Sequence, residues 1–136
     1  MADGPALSLQ AALVAALKAD AGVAAIVGAR VYDEPPQDVA FPYVRIGEIL
    51  VRPFHTDGQE AFEITFGIEA FSRPVAGRVE AARLAFAVSE ALHDQTLTVA
   101  GYGNAWTFCE TFTTARDAAG QGYSSIIAFT AMLDVA

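Results

Sequence analysis

Cysteine is nearly missing from this chain of 136 residues, which contains only Cys109. One cysteine cannot form an intramolecular disulfide, and it cannot supply the several thiolates of a cysteine-based zinc site. A chain of this length normally forms one domain that buries enough surface to fold without a disulfide or a metal. We therefore predict a single domain over residues 1–136 that needs no cofactor.

Basic residues are also few, with eight Lys and Arg against sixteen Asp and Glu and a net charge of −8. The eight bases are one lysine and seven arginines that are scattered singly along the chain. This pattern does not favour a protein that binds nucleic acid tightly, because such proteins cluster their positive charge. It suits a surface that nucleic acid slides past without specific binding.

Long apolar runs and a secretory signal are missing as well. The N-terminal residues 1–5 lack the basic region of a signal peptide. The Ala/Leu/Val stretch that follows is broken by Lys18 and Asp20, short of the roughly 20 residues of a membrane span. We expect an intracellular protein without a membrane partner. A hydrophobic content of 54% is nevertheless high for a soluble monomer, and it indicates apolar surface buried between subunits.

The clearest pattern lies at residues 61–71, where apolar and polar side chains alternate. One side of an extended chain would carry Phe62, Ile64, Phe66, Ile68 and Ala70. The other side would carry Glu63, Thr65, Gly67 and Glu69. Strict alternation over this length is typical of a half-buried strand in a mainly antiparallel sheet.

Helices are predicted where apolar residues recur at helical spacing between capping residues. The first begins after Ser8, and the second spans residues 21–27 between the N-cap Asp20 and the stop at Gly28. The third spans residues 75–94.

Further strands are predicted from alternating patterns and from turn residues. We expect them at residues 30–32, 43–50, 97–100, 105–116 and 123–134. Residues 51–60, with the turn signal Asp57-Gly58, are predicted to form a long hairpin loop. This order of elements indicates an α+β fold, with a single mainly antiparallel sheet and helices packed on one face.

The third predicted helix carries a second apolar patch, formed by Val79, Ala82 and Phe86, roughly opposite its main stripe. A helix that packs only on its own sheet does not need this patch. The patch contacts either a neighbouring helix of the same chain or a second subunit. The high overall hydrophobicity favours the subunit contact.

The predicted strand 105–116 places Trp106, Phe108 and Phe112 on one face together with Glu110. Either this face is not fully buried, or Glu110 pairs with an arginine such as Arg45. Cys109 lies in mid-strand, without the electropositive and exposed setting of a reactive thiolate, so we expect it to be a small core residue.

No catalytic or nucleotide-binding motif is complete. Gly101-x-Gly103 lacks the third glycine of a dinucleotide loop and precedes a strand, so it indicates a hairpin turn. His55 with Asp57 would offer metal ligands, and His93-Asp94 would offer an oriented imidazole. Two histidines in separate segments are a weak basis for catalysis, and a histidine near a helix end suits the helix dipole.

Three stretches, in order, resemble the family of small phage tail-completion proteins, also called tail terminators or head–tail joining proteins. They are residues 11–20 followed by residues 26–33, then Pro35-Pro36 followed by residues 41–48, and finally residues 62–93. Similar proteins occur in prophages and in the gene transfer agents of alphaproteobacteria. The resemblance spans nearly the whole chain and depends on order and spacing.

The resemblance implies a structural virion protein and not an enzyme, made in the bacterial cytoplasm. Such proteins form a homo-hexameric ring on the tail tube, stop its polymerisation and join it to the head connector or stopper protein, while DNA passes through the lumen. By analogy, Arg52, Phe54, His55 and Asp57 in the 51–60 loop would face the tube or connector. Val79, Ala82 and Phe86 would contact the next subunit.

Two other classes of function stay open from the residues alone. One is a small dimeric α+β domain that binds a ligand or hydrolyses a substrate with a metal held by His55, Asp57 and His93. The other is a dimeric binding module that has no role in a virion.

Overall fold

The computed structural model describes residues 4–56, 59–73, 77–116 and 122–135, and it leaves out the side chains of residues 55, 56 and 59. Its elements in chain order are α1 (Pro5–Ala19), α2 (Ala21–Val27), β1 (Val31–Tyr32), β2 (Tyr43–Thr56), β3 (Gln59–Phe71), α3 (Gly77–Leu92), β4 (Gln95–Thr98), β5 (Asn104–Arg116) and β6 (Tyr123–Asp134).

The six strands form one sheet in the order β1-β2-β3-β6-β5-β4. Only β1 and β2 are parallel, and the other neighbours are antiparallel. The strand predicted at residues 61–71 is β3, which lies between β2 and β6 and pairs with β6 from Ala61↔Asp134 to Phe71↔Ser124. The prediction of a mainly antiparallel sheet with helices is confirmed. That the chain is one domain stays a prediction.

The core lies on the side of the sheet that carries Ile64, Ile68 and Ala70, which we call the helix face. These three side chains are fully buried, and the Phe66 ring stacks on Phe129 of β6 at 5.1 Å. The helices contribute their buried stripes to the same core, with Leu9, Leu13 and Leu17 from α1, Val23 and Val27 from α2, and Leu84, Val88 and Leu92 from α3. The alternation in β3 therefore predicted the buried face correctly. We call the opposite side the open face.

The helix ends follow from local chemistry. Helix α1 begins at Pro5, before the predicted Ser8, because a proline at the first turn has no N–H that needs a partner. The Asp20 carboxylate accepts a hydrogen bond from the Val23 N–H at 3.0 Å and caps α2 as predicted. Gly28 ends α2 with a positive φ of 62°.

The prediction of a long loop at residues 51–60 was wrong. Strands β2 and β3 stay paired to the rungs His55↔Glu60 and Thr56↔Gln59, so the segment is the far half of a hairpin. Pro53 is tolerated because β2 beyond Arg45 has no described strand on its other side, and proline is acceptable in an edge strand. Asp57 and Gly58 lie outside the described residues.

Two bulges were not predicted. The register of β2 shifts between Ile46 and Ile49, where a Cβ on Gly47 would lie 3.0 Å from the Gly67 carbonyl oxygen, a tighter contact than most Cβ atoms make. Glycine therefore avoids a crowded contact at this close approach of two backbones.

The second bulge lies between Cys109 and Thr111 in β5. It reverses the alternation, so Phe112 pairs with the buried Ile127 on the helix face, while Trp106 and Phe108 lie on the open face. The prediction that Phe112 shares a face with Trp106 and Phe108 was wrong for this reason.

Within the described residues, no single helix has both the length and the apolar composition needed to cross a membrane. Helices α1 and α2 would meet those criteria only as a pair, and they are bent by 79° at their junction.

Two adjacent isoleucines of β6 test the assignment of the faces. Ile127 is fully buried, whereas Ile126 is 57% exposed. We expect Ile127→Ala to lower the free energy of unfolding by about 2–5 kcal/mol through cavity formation. Ile126→Ala should stay within about 0.5 kcal/mol of the wild type. Urea unfolding of both variants measures this, and equal losses would contradict the assigned faces.

Candidate assembly surfaces

Helix α3 exposes the second apolar patch that the sequence indicated, Val79, Ala82 and Phe86, which we call the α3 patch. Val79 is 60% exposed and Phe86 is 56% exposed. The opposite side of α3 is buried through Ala81, Leu84, Ala85, Val88 and Leu92. Both side chains are thus largely exposed, so a helix of the same chain does not cover them, and their contact with a second subunit stays a prediction.

The α3 patch lies between two grooves. Val79 borders a groove of about 490 Å³ against Ile26 of α2, together with the exposed guanidinium group of Arg83. Phe86 borders a second groove of about 270 Å³, whose other wall is Phe112 of β5 and whose end is His93. Arg73, Glu80 and Arg83 also line the first groove, so the apolar surface of the patch continues only on the side of Phe86, towards Phe112.

The edge of β5 is open along much of its length. Strand β4 pairs only with residues 104–107, so β5 from Phe108 to Arg116 has β6 on one side and no described strand on the other. The His93 side chain covers the first free amide, because its Nδ1 accepts a hydrogen bond from the Cys109 N–H at 3.0 Å. Its ring also lies 4.5 Å from that of Phe108.

The bulge of β5 contains Cys109 and Glu110, the two residues whose roles the sequence left open. Glu110 is exposed and makes no ion pair within the described residues, while Arg45 pairs with Glu69 through its Nε at 2.8 Å. The suggested Glu110–Arg45 pair was therefore wrong, and the alternative of an incompletely buried face is correct. The Cys109 side chain is only partly buried and packs against the core.

Burial raises the pKa of the Cys109 thiol, and the neighbouring Glu110 carboxylate raises it further. A thiol with a raised pKa stays protonated near neutral pH, which suppresses its nucleophilicity. The prediction that Cys109 is not a reactive thiolate agrees with this environment.

The open face of the sheet carries isolated apolar side chains among polar ones. Leu50 and Ile126 are exposed there, and they share a shallow depression with Glu48 and Glu110. The arginines on this face are neutralised by neighbours, since Arg45 pairs with Glu69 and Arg52 pairs with Glu63 at 3.4 Å. The carboxylates of Glu48 and Glu110 make no such pair within the described residues, so this face keeps negative charge.

The hairpin predicted to meet a partner projects beyond its neighbour. Pairing of β3 with β6 begins at Ala61↔Asp134, so the rungs at residues 55/60 and 56/59 extend past β6. Phe54 is 44% exposed, and Arg52 is also exposed. The side chain of His55 and all of Asp57 lie outside the described part of the chain, so their predicted contacts stay predictions.

The histidines do not form one site. His55 is carried by β2, whereas His93 contacts β5, and β3 and β6 lie between these two strands. Three strand spacings amount to about 14 Å. His93 is also not oriented by Asp94, whose carboxylate accepts from the Trp106 Nε1–H at 2.7 Å. No group of three or more metal-ligating side chains occurs within the described residues.

Comparison with known proteins identifies the family. The family model described as tail completion protein gp17 matches residues 11–134. The chain belongs to the tail completion family. No protein with a curated description matches it.

Two solved structures are similar to this tail completion protein. One is a chain of the virion of a native gene transfer agent particle, with 28% identity, a TM-score of 0.86, and coverage of 98% of this chain and 99% of the other. A second has 13% identity and a TM-score of 0.55 over 96% of this chain and 95% of the other, which shows the fold alone.

The family is one of structural tail proteins, and membership places this chain in the tail of a virion. The resemblance predicted from residues 11–93 is therefore confirmed. The match also extends over β5 and β6, beyond the three stretches that carried the resemblance.

The chemistry of Cys109 supplies a test of the β5 bulge. We expect iodoacetamide to alkylate the folded protein at neutral pH more slowly than the urea-unfolded chain, because burial and Glu110 hold the thiol protonated. The rate should rise with pH, and Glu110→Gln should shift that rise to lower pH. Mass spectrometry of time points measures the rates. Equal rates in folded and unfolded chains would contradict this environment.

Proposed function

We propose that this tail completion protein forms a ring at the end of the tail tube, ends tube polymerisation and joins the tail to the head connector. The observation that carries the proposal is the exposed α3 patch beside an open sheet edge in a member of this family. Apolar groups that a monomer leaves in water are the groups that an assembly buries.

The ring is proposed to use the α3 patch as part of its subunit contact. Val79, Ala82 and Phe86 provide an apolar centre, and Arg83 and Glu90 beside them provide polar groups at its rim. Subunit interfaces commonly have this arrangement of an apolar core with a polar rim. Six copies are the number expected from the resemblance to tail terminators.

A ring around a DNA passage requires a surface that does not hold the phosphate backbone. A lumen that repels DNA is supported by the net charge of −8 and by Glu48 and Glu110 on the open face, which have no ion pair among the described residues. The two arginines of that face are already paired with carboxylates, so they offer little to phosphates. We therefore propose that the open face lines the channel.

The β2–β3 hairpin is proposed to reach the tail tube or the head connector through Arg52, Phe54, His55 and Asp57. Its last two rungs project beyond β6, and Phe54 exposes a large apolar side chain near the projecting end. A protruding hairpin that bears an aromatic residue suits insertion into a neighbouring protein, because aromatic anchors dominate many interfaces.

The proposal assigns the protein no catalytic activity. The separation of His55 from His93, and the engagement of Asp94 by Trp106, supply no acid–base pair for the hydrolytic alternative. No observation favours the dimeric binding module over the ring.

Assembly in solution is the first test. We expect light scattering over a concentration series to approach six times the 14.3 kDa chain mass, alone or after addition of purified tail-tube protein. Phe86→Asp should raise the protein concentration needed for half assembly by at least about tenfold, because it places a charge at an apolar contact.

The matched control is Leu7→Asp, which introduces the same charge at a comparably exposed apolar residue of α1. It should assemble like the wild type. A stable dimer that ignores tube protein would refute the ring, and an intact ring of Phe86→Asp would refute the role of the α3 patch.

If the hairpin contacts the tube or the connector, a substitution in the hairpin should weaken that binding without weakening ring assembly. Phe54→Asp should leave the ring intact and weaken binding of the ring to tail-tube or connector protein by about tenfold or more. Pull-down of each purified partner measures this. Val135→Asp, at an exposed residue near the C-terminus, is the control and should bind normally. Normal binding of Phe54→Asp to both partners would show that the hairpin has another role.

A further inference from the structure

Two arginines from different elements meet on one tyrosine at the end of the sheet. The guanidinium carbons of Arg78 in α3 and Arg116 in β5 lie 4.9 and 5.1 Å from the ring centroid of Tyr123. Arg116 also donates to the Tyr123 hydroxyl at 3.1 Å. Both arginines are exposed, and neither pairs with a carboxylate in the described part of the chain. We call this pair the basic corner.

The loop between β1 and β2 has the opposite charge. Residues 33–40 include Asp33, Glu34 and Asp38 and no base. All three carboxylates are exposed, and none has an ion-pair partner among the described residues. Three unpaired acids in eight residues repel one another, so they favour a positively charged partner. We call this segment the acidic loop.

The acidic loop and the basic corner lie at the same end of the sheet, at opposite edges. The loop leads into Tyr43, which pairs with Phe71, and Phe71 pairs with Ser124 beside Tyr123. That row of the sheet continues to Ala115, and the adjacent Arg116 pairs with Tyr123. Strands β1 and β2 form one edge, while β5 and β4 form the other.

This placement matches what a closed ring requires. When the ring axis runs parallel to the strands, rotation about it places one sheet edge of a copy against the opposite sheet edge of the neighbouring copy. The two copies are then not shifted along the axis. A head-to-tail contact closes into a ring when the rotation closes without such a shift, and it forms a filament otherwise. Two complementary surfaces at the same level therefore favour a ring.

We propose that the basic corner of one copy binds the acidic loop of the next copy in the ring. This inference rests on the ring of the proposed function and names the charged part of its subunit contact. Each surface has an apolar side chain near it. Phe112 lies in β5 four residues before Arg116, and the exposed Phe41 directly follows the acidic loop. Phe86 of the α3 patch lines the same groove as Phe112, which makes the contact continuous with the patch.

A second copy fits the basic corner better than nucleic acid does. Proteins that bind the phosphate backbone use several clustered bases, and this chain of net charge −8 has two at this corner. The acidic loop supplies a matching set of charges that every copy of the chain carries.

Charge reversal tests the contact through purified variants. The acidic variant carries Arg78→Glu and Arg116→Glu, and the basic variant carries Asp33→Arg and Glu34→Arg. Each variant alone would bring like charges together, so we expect each to need at least about tenfold more protein for half assembly than the wild type. A 1:1 mixture of the two should regain assembly, because acidic and basic copies can then alternate.

Acidic and basic copies can alternate around a closed ring only when the number of copies is even. A ring of six copies meets this condition. Native mass spectrometry of the mixture should therefore show rings with equal numbers of both variants. The controls are Lys18→Glu for the acidic variant and Asp134→Arg for the basic variant, each of which reverses a charge at an exposed residue outside both surfaces and outside the projecting rungs of the hairpin. They should assemble like the wild type, and thermal melting should show that all variants fold.

The outcomes separate this contact from the ring itself. If the wild type forms no ring at any concentration, alone or with tail-tube protein, the ring and the contact both fail. If the wild type forms a ring and the charge reversals do not weaken it, the ring stands and this contact is refuted. If the reversals abolish tube binding while the ring persists, the charged surfaces serve another protein, and the contact between copies is likewise refuted.

Discussion

The pairing of β3 with β6 is the contact on which the rest of the structure depends. Both strands place alternate side chains on the helix face, and the stacked rings of Phe66 and Phe129 lie at its centre. The helices bury their apolar stripes only because this face exists to receive them. Strands β2 and β5 then extend the sheet on either side. Loss of the pairing would remove the helix face and with it the surface that holds α3 in place.

The central strands β3 and β6 are paired on both sides, whereas β2 and β5 are paired along only part of their outer sides. Strand β1 covers only the beginning of β2, and β4 covers only the beginning of β5. The open edge of β2 contains Pro53 and a bulge, two features that discourage pairing with another strand. The open edge of β5 has a bulge, but no charged side chain follows it between Thr111 and Ala115. Beside it lie the α3 patch and the basic corner, so this is the side on which we propose the contact with a second subunit.

Sequence reasoning succeeded where a pattern was local and uninterrupted. Alternation predicted the buried face of β3, Asp20 and Gly28 predicted the ends of α2, and helical spacing predicted the exposed α3 patch. It failed at the hairpin, because a proline in an edge strand is indistinguishable from a proline in a loop until the neighbouring strand is known. It also failed for Phe112, because a bulge adds one residue and reverses every later side chain in the strand.

The sequence by itself determined the class of fold, which follows from the order and spacing of apolar residues, and it also carried the resemblance to the family. It also determined that negative charge exceeds positive charge, with a net charge of −8. Tertiary structure alone decided which charges meet. Arg78 and Arg116 share Tyr123 only because α3 crosses over β5 and β6, and the acidic loop lies at the same level only because of the strand register. Contacts between distant segments depend on the register of the strands and on where a helix crosses the sheet. Local sequence patterns encode neither of these.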